Sequence, residues 1–244
     1  VDTKPVPHMA RSLSHRGPDA HTVRRYGGKN PYAALGVERL AIVDPDGGNQ
    51  PASDHTGRWR VALNGEIYNH AQLRKQLHAN GIPFKSGSDT EVVACLISIN
   101  GLDRALDLCH GMFAIAVLDT VERRLYLIRD RMGVKPLHWA RTEDGTIVFA
   151  SELKALREHP AMKWSINQNA IYTYLLSEYI PTPDTIWANV HKVEPGTWIE
   201  ANAQGCHQHR WWSLPTGRPG TPGNFDRWAT SLHGALQVAT TNRM

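Results

Sequence analysis

Cysteine is scarce in this chain: three residues in 244, at positions 95, 109 and 206. Three scattered thiols do not build a disulfide framework, so a reducing cytoplasm is the expected setting. Long apolar runs are missing as well. The longest, Met112 to Leu118, is too short to cross a bilayer. No basic start followed by an apolar stretch marks a signal peptide, and no Asn-x-Ser/Thr sequon occurs. Charge of one sign is nowhere concentrated. The net charge is +4, and the densest basic spots are pairs such as Arg24-Arg25 and Arg123-Arg124. Neither nucleic acid nor membrane is therefore expected as a partner. A Gly-x-x-x-x-Gly-Lys-Ser/Thr phosphate loop is also missing.

What remains is the composition of a globular protein, 41% apolar and 20% charged, with room for one large domain or two small ones. Val1 is no initiator. Trp228, Leu232, Leu236 and Ala239 recur at helical spacing and run towards Met244 without a stop signal. A longer parent chain is expected.

Residues 35–43 and 59–63 have strand character. Positions 69–80 read as a helix, with Asn69 as cap, Leu73 and Leu77 four apart, and Gly81 at the end. A second helix starts at Ser88, whose spacing to Glu91 is that of a capping box. Met112 to Leu118 fits a strand buried on both faces; Leu125 to Ile128 completes a hairpin with it. Thr146 to Phe149 is a further strand, and Ser151 opens a short helix. Ile171, Tyr174 and Leu175 mark another helix, ended by Pro181-x-Pro183. Thr197–Glu200 and His207–Trp211 read as a terminal hairpin. Leu214 to Gly223 holds three prolines and three glycines, a linker composition. Buried strands with flanking helices point to a layered α/β (α+β) arrangement.

Several residues have chemical promise, and each has a plain alternative. Asn64-Gly65 between apolar strands is by itself the strongest short hairpin signal, and on local grounds a turn is the favoured reading; the alternative is an amide side chain beside a glycine that holds a developing oxyanion. Arg39 is either a strand-end surface cation or a planar fork for a carboxylate. Asp89, in the first turn of a helix, favours the macrodipole without any ligand. Cys206-His207-Gln208-His209 supplies two ligands on one strand face, short of what a zinc site needs, so no metal is expected. Cys95 and Cys109 sit in apolar contexts, as inert core thiols do.

Taken in order, five strings carry more than their parts: Ser14-His15-Arg16-Gly17-Pro18-Asp19, Glu38 to Asp44, Asn64-Gly65-Glu66-Ile67-Tyr68-Asn69, Gly87 to Val92, and Asp130 to Leu137. They resemble the class II glutaminase domain of glutamine-dependent asparagine synthetases. Other class II glutaminases, of glucosamine-phosphate synthesis and of purine biosynthesis, carry different strings around the Asn-Gly pair. The resemblance implies an αββα sandwich of N-terminal-nucleophile hydrolase type. Asn64 and Gly65 become the oxyanion hole. Arg39 clamps the α-carboxylate of glutamine, Leu40, Ala41, Ile42 and Val43 line the pocket, and Asp89, supported by Glu66, takes the α-ammonium. The His15–Asp19 and Asp130–Leu137 segments become loops that shape the site.

The family's nucleophile is a cysteine at the mature N-terminus, in a Cys-Gly-Ile-x-Gly strand. No cysteine precedes His15 here, so the polypeptide as given is expected to be inactive. Lacking that strand, the central sheet is expected to show a free edge beside Met112–Leu118. The implied organisation is a glutamine amidotransferase domain at 1–202, a hairpin end and linker at 203–223, and the first helix of an ATP-pyrophosphatase (synthetase) domain at 224–244. That domain's Ser-Gly-Gly-x-Asp-Ser loop does not occur in this sequence. No cofactor is expected in this chain; ATP and Mg belong to the synthetase domain, which would take ammonia from glutamine and convert aspartate to asparagine. A homodimer is compatible with the resemblance. Two other readings stay open: amidation of a different carboxylate, and a non-catalytic glutamine-binding domain.

Overall fold

The apolar run at 112–118 organises the molecule. In the computed structural model, which describes residues 1–217 and 224–243, the run lies in a strand that spans Gly111–Asp119 and is buried from Phe113 onward. Its side chains alternate between two cores, as strand geometry requires. Phe113, Ile115 and Val117 pack towards helices; Ala114, Ala116 and Leu118 pack towards a second layer of strands. Positions 218–223 of the expected linker, and Met244, lie outside the described residues.

In chain order the strands are β1 (Ala20–Tyr26), β2 (Ala33–Arg39), β3 (Ala52–Ser53), β4 (Trp59–Ile67), β5 (Gly111–Asp119), β6 (Arg124–Arg129), β7 (His138–Arg141), β8 (Ile147–Ala150), β9 (Val190–Lys192), β10 (Thr197–Asn202) and β11 (Gly205–Arg210). The main sheet has the order β11-β10-β6-β5-β4-β3. All its neighbours are antiparallel. Its outer face is covered by α2 (His70–Ala79), α3 (Asp89–Asn100) and α4 (Leu102–Leu108). The second layer is in two pieces, the β1-β2 hairpin and a β8-β7-β9 sheet. Beyond it, α1 (Val6–Arg11) and α5 (Leu153–Arg157) contribute Met9, Ala155 and Leu156 to a third core with Ala140, Val148 and Val190. Helix, sheet, sheet, helix is the αββα order.

The chain divides into two compact units, Val1–Trp211 and Trp212–Met244. The first therefore includes both strands of the terminal hairpin. The second carries α7 (Phe225–Thr241), capped by Asn224, whose side chain accepts from the Asp226 N–H. Its apolar residues Trp228, Leu232 and Leu236 are exposed. In the first unit, α6 (Gln168–Ser177) likewise leaves Tyr174 and Leu175 exposed.

Four local expectations are corrected. The strand expected over 35–43 stops at Arg39, whose guanidinium gathers the carbonyls of Val43, Asp44 and Pro45 and bends the chain. The strand expected at 59–63 runs on to Ile67, straight through Asn64-Gly65, so no hairpin turn forms there. Asn69 does not cap α2: its side chain donates to Leu108 O and accepts from His110 N–H, both at 2.9 Å. Finally, β5 is no edge, being paired to β4 and β6. In the other layer, β2 and β8 are edge strands of their sheets. Of the capping box at Ser88, one half forms. Ser88 Oγ accepts from Glu91 N–H, while the Glu91 carboxylate accepts from the N–H groups of Lys85 and Ser86.

Two buried carboxylates brace the sheet margin. Asp119 accepts from the Arg58 guanidinium and from the N–H groups of Val121 and Glu122; Asp54 accepts from those of Thr56 and Trp59. Burial pushes both pKa values up, but these hydrogen bonds outweigh it and hold both below the ordinary carboxylate value. A depressed folded pKa gives stability that is complete above the unfolded pKa and lost as pH falls through the folded one. The part of the unfolding free energy that these two carboxylates supply, measured by denaturant, should therefore be flat above about pH 5 and fall below about pH 4. Asp119→Asn should cost about 1.5–3 kcal/mol at neutral pH and make the acid limb shallower.

Candidate active site

A cavity of about 910 Å³ lies between the layers, lined by β2, β4 and β8, by the loop after β2, and by the start of α3. Its inner wall is the Ala114, Ala116 and Leu118 face of β5. The unpaired edges of β2 and β8 both border it.

Asn64 and Gly65 enter it from β4. Asn64 has the same parity as Ala62, which packs in the core between the sheets, so the amide points into the space between layers. Its Nδ2 donates to Ser151 Oγ at 3.2 Å. Gly65 has φ of +143°, and a Cβ there would lie 2.0 Å from Met112 O. Only glycine fits this backbone.

Arg39 is 8% exposed. Its guanidinium donates to Pro45 O at 2.9 Å, Val43 O at 3.0 Å and Asp44 O at 2.6 Å. All three acceptors are neutral carbonyls. Asp89 is 5% exposed; one oxygen accepts from Ile67 N–H at 3.0 Å and the other from the Thr90 hydroxyl at 3.3 Å. Among the described residues neither Arg39, Asp89 nor Glu66 forms an ion pair. All three line the cavity. An unpaired buried charge is costly, and two of opposite sign facing one cavity suit a zwitterion that carries both counter-charges. The Asp44 carboxylate ties the two halves together, accepting from Gly47 N–H at 3.1 Å and Gly87 N–H at 2.6 Å. It thereby joins the Arg39 loop to the turn that precedes Asp89.

The remaining expected residues divide. Leu40 and Ile42 line the cavity at its rim, being 54% and 69% exposed, and Val43 lies among them. Ala41 is not in the lining; its N–H donates to Asp19 at 2.8 Å. His15 and Arg16 meet the Glu152 carboxylate, at 3.2 and 2.8 Å, and pin the first loop to α5. The Asp130 carboxylate accepts from the N–H groups of Met132, Val134 and Lys135 and so shapes its loop. Ser151, expected only to open a short helix, and Gln50, for which no role was expected, both line the cavity. Gln50 accepts from Leu63 N–H, holding β4 one residue before Asn64. Neither carries a motif signal of its own.

No cysteine lines the cavity. Cys95 and Cys109 are fully buried, and burial pushes their thiols up to about 11 and about 12. Burial also raises Cys206, on β11. Among the described residues no group of three or more His, Cys, Asp or Glu could hold a metal ion. His209 instead stacks on Trp198, ring centroids 4.0 Å apart.

The four layers, helix, sheet, sheet and helix, are those of the class II glutamine amidotransferase fold of N-terminal-nucleophile type. The chain belongs to the glutamine amidotransferase domain family, which it matches over residues 1–212. It is 32% identical over 239 residues to asparagine synthetase [glutamine-hydrolyzing] 3 of Bacillus subtilis (strain 168), covering 97% of this chain and 38% of that protein. It is 33% identical over 200 residues to asparagine synthetase 1 of the same organism, covering 82% and 30%. To asparagine synthetase 3 of Arabidopsis thaliana it is 42% identical over 150 residues, covering 62% and 25%. The chain thus spans about a quarter to two fifths of the length of these relatives. In fold it resembles the allosteric regulatory enzyme of purine biosynthesis, with a TM-score of 0.66 at 23% identity over 86% of this chain and 47% of that one. It likewise resembles the B. subtilis glutamine phosphoribosylpyrophosphate amidotransferase, with a TM-score of 0.63 at 21% identity and the same coverage. No helix among the described residues is long and apolar enough to cross a membrane.

The backbone at Gly65 yields a direct test. Gly65→Ala should destabilise the first unit by at least about 2 kcal/mol, from an unfavourable φ and the clash with Met112 O. Gly234→Ala, in open space on α7, should be neutral or slightly stabilising. Equal melting temperatures for Gly65→Ala and the parent would contradict this geometry.

Proposed function

We propose that this domain binds glutamine, and that with a nucleophilic thiol in its cavity it hydrolyses the side-chain amide and passes ammonia to a companion synthetase domain. The observation that carries the reading is the pair of buried, unpaired, opposite charges at Arg39 and Asp89 on the cavity that holds Asn64 and Gly65. Arg39 receives the α-carboxylate, and Asp89 with Glu66 receives the α-ammonium. That clamp lays the γ-amide towards Asn64.

The thiol sulfur then attacks the carbonyl carbon (Cδ) of the side-chain amide, and its proton goes to a nearby base. In this class the base is the cysteine's own α-amino group, with an ordinary pKa of about 8. The Asn64 NH₂ and the Gly65 N–H stabilise the oxyanion. The C–N bond breaks, ammonia leaves with that proton, and water hydrolyses the thioester to glutamate. An extended segment bearing the thiol suits the space between the free edges of β2 and β8, where both can supply backbone partners. In the companion domain ATP and Mg would activate a carboxylate, aspartate by likeness to the relatives, and ammonia would convert it to the amide.

A second reading is favoured by a cavity lining that includes none of the three cysteines: the polypeptide as given binds glutamine without turning it over. Incubated with glutamine, it should release no more glutamate than its Asn64→Ala variant. Release above that control would mean that another residue serves as nucleophile.

The clamp is tested in a protein completed with the cysteine strand and a synthetase domain. There Arg39→Ala and Asp89→Ala should each depress glutamine-dependent synthesis by a factor of tens to thousands, about 2–5 kcal/mol for a lost buried charge contact. Ammonia-dependent synthesis, which bypasses the clamp, should persist. Equal losses in the two assays would reduce Asp89 to a helix-stabilising residue.

A further inference from the structure

We infer that Ser151 is a positioning residue for the oxyanion hole, its hydroxyl holding the Asn64 amide so that the NH₂ end faces the reacting carbonyl. This rests on the glutaminase reading above. An asparagine amide has two ends of nearly equal size and opposite polarity. Only the NH₂ end stabilises an oxyanion; a half-turn of the amide plane brings the carbonyl oxygen there and repels the same charge. Something outside Asn64 has to select between the two.

Ser151 is the partner available. Asn64 lies within β4 of the main sheet, and Ser151 follows β8 in the other layer. Nδ2 of the first donates to Oγ of the second at 3.2 Å, across the cavity that both line. One N–H of the amide is thereby engaged and the second is left for the site. The hydroxyl is held on a fixed support. The Ser151 carbonyl accepts from His138 Nδ1 at 3.1 Å, and His138 pairs with Ala150 in the β7–β8 ladder. Burial lowers the His138 pKa, so the imidazole is neutral near pH 7 and Nδ1 carries the donated proton. Glu152, the next residue, is gripped by Arg16 at 2.8 Å and by His15 at 3.2 Å, and Lys154 lies 3.4 Å from its other oxygen. Ser151 thus joins the oxyanion donor to the second layer. The amide is held in its productive orientation only while β8 and the first loop are docked.

Two measurements test this. In the chain as it stands, the ¹⁵N–¹H signals of the Asn64 side-chain amide, assigned by their loss in Asn64→Ala, should be well separated and slow to exchange with water. Ser151→Ala should bring them towards free-amide positions and speed exchange; Ser151→Thr, which keeps the hydroxyl, should not. In the thiol-completed enzyme, Ser151→Ala should lower glutamine kcat about 3–10-fold, the worth of one hydrogen bond. KM and ammonia-dependent synthesis should not change, and Thr should restore kcat. Adding Ser151→Ala to Asn64→Ala should cause no further loss. Unchanged amide signals in a folded Ser151→Ala chain would overturn the inference. So would a kcat equal to the parent's while Asn64→Ala is impaired, a rise in KM alone, additive losses in the double variant, or failure of Thr to restore. If Asn64→Ala itself leaves kcat intact, the oxyanion assignment falls and this role falls with it. Should Ser151→Ala unfold the chain, the Thr variant and its amide spectrum decide alone.

Discussion

A guanidinium buried among neutral carbonyls is the constraint on which the site depends. Arg39 ends β2, and its three hydrogen bonds to Val43, Asp44 and Pro45 force the following chain to curl around it. Carbonyls satisfy its donors without neutralising its charge. The curl presents Asp44 to Gly87, which fixes the turn before α3 and so the position of Asp89. One cation thus shapes a loop, registers a helix and leaves a net charge for an anion to answer. Asp89 mirrors it, with donors at both oxygens and no cation. Fold stability alone would favour pairing or replacing such charges, and the proposed glutamine clamp rests on their isolation on one cavity.

The layers serve the cavity in different ways. The main sheet is continuous and packed on both faces, so β4 carries Asn64 and Gly65 on a rigid base. The small residues Ala114 and Ala116 on the inner face of β5 leave depth beneath the site. The second layer is split, and both of its pieces join one core with the main sheet, through Leu35 of β2 and through Leu137 and Val193 beside β7 and β9. Between them run two strand edges with unspent hydrogen-bonding groups. In the proposed reading a strand bearing the thiol enters this gap, and its backbone gains partners on both sides.

Much of the fold was legible from patterning. The apolar run at 112–118, the helix opened by Ser88 and the terminal hairpin are local in origin: each follows from side-chain periodicity or a cap that neighbours in sequence supply. Misreadings arose where a distant partner intervened. Asn69 looked like a cap because caps are local, yet the α4–β5 connection claimed its side chain. Asn64-Gly65 looked like a turn because Asn-Gly usually is, yet pairing with Ala114 and Phe113 drew it into a strand. The places of Ser151 and Gln50 on the cavity were not legible, since a single serine or glutamine has no pattern that names its neighbours until the chain folds beside it.

By itself the sequence determined the family, the strand and helix content, and the residue types able to grip an amino acid, because motif strings and periodicity are properties of neighbours along the chain. Tertiary structure alone decided which of those residues share a cavity, that Arg39 and Asp89 are buried and, among the described residues, without ion partners, and that neither Ala41 nor any cysteine lines that cavity. Burial and charge pairing depend on groups tens of residues apart meeting in space, and no local pattern encodes that.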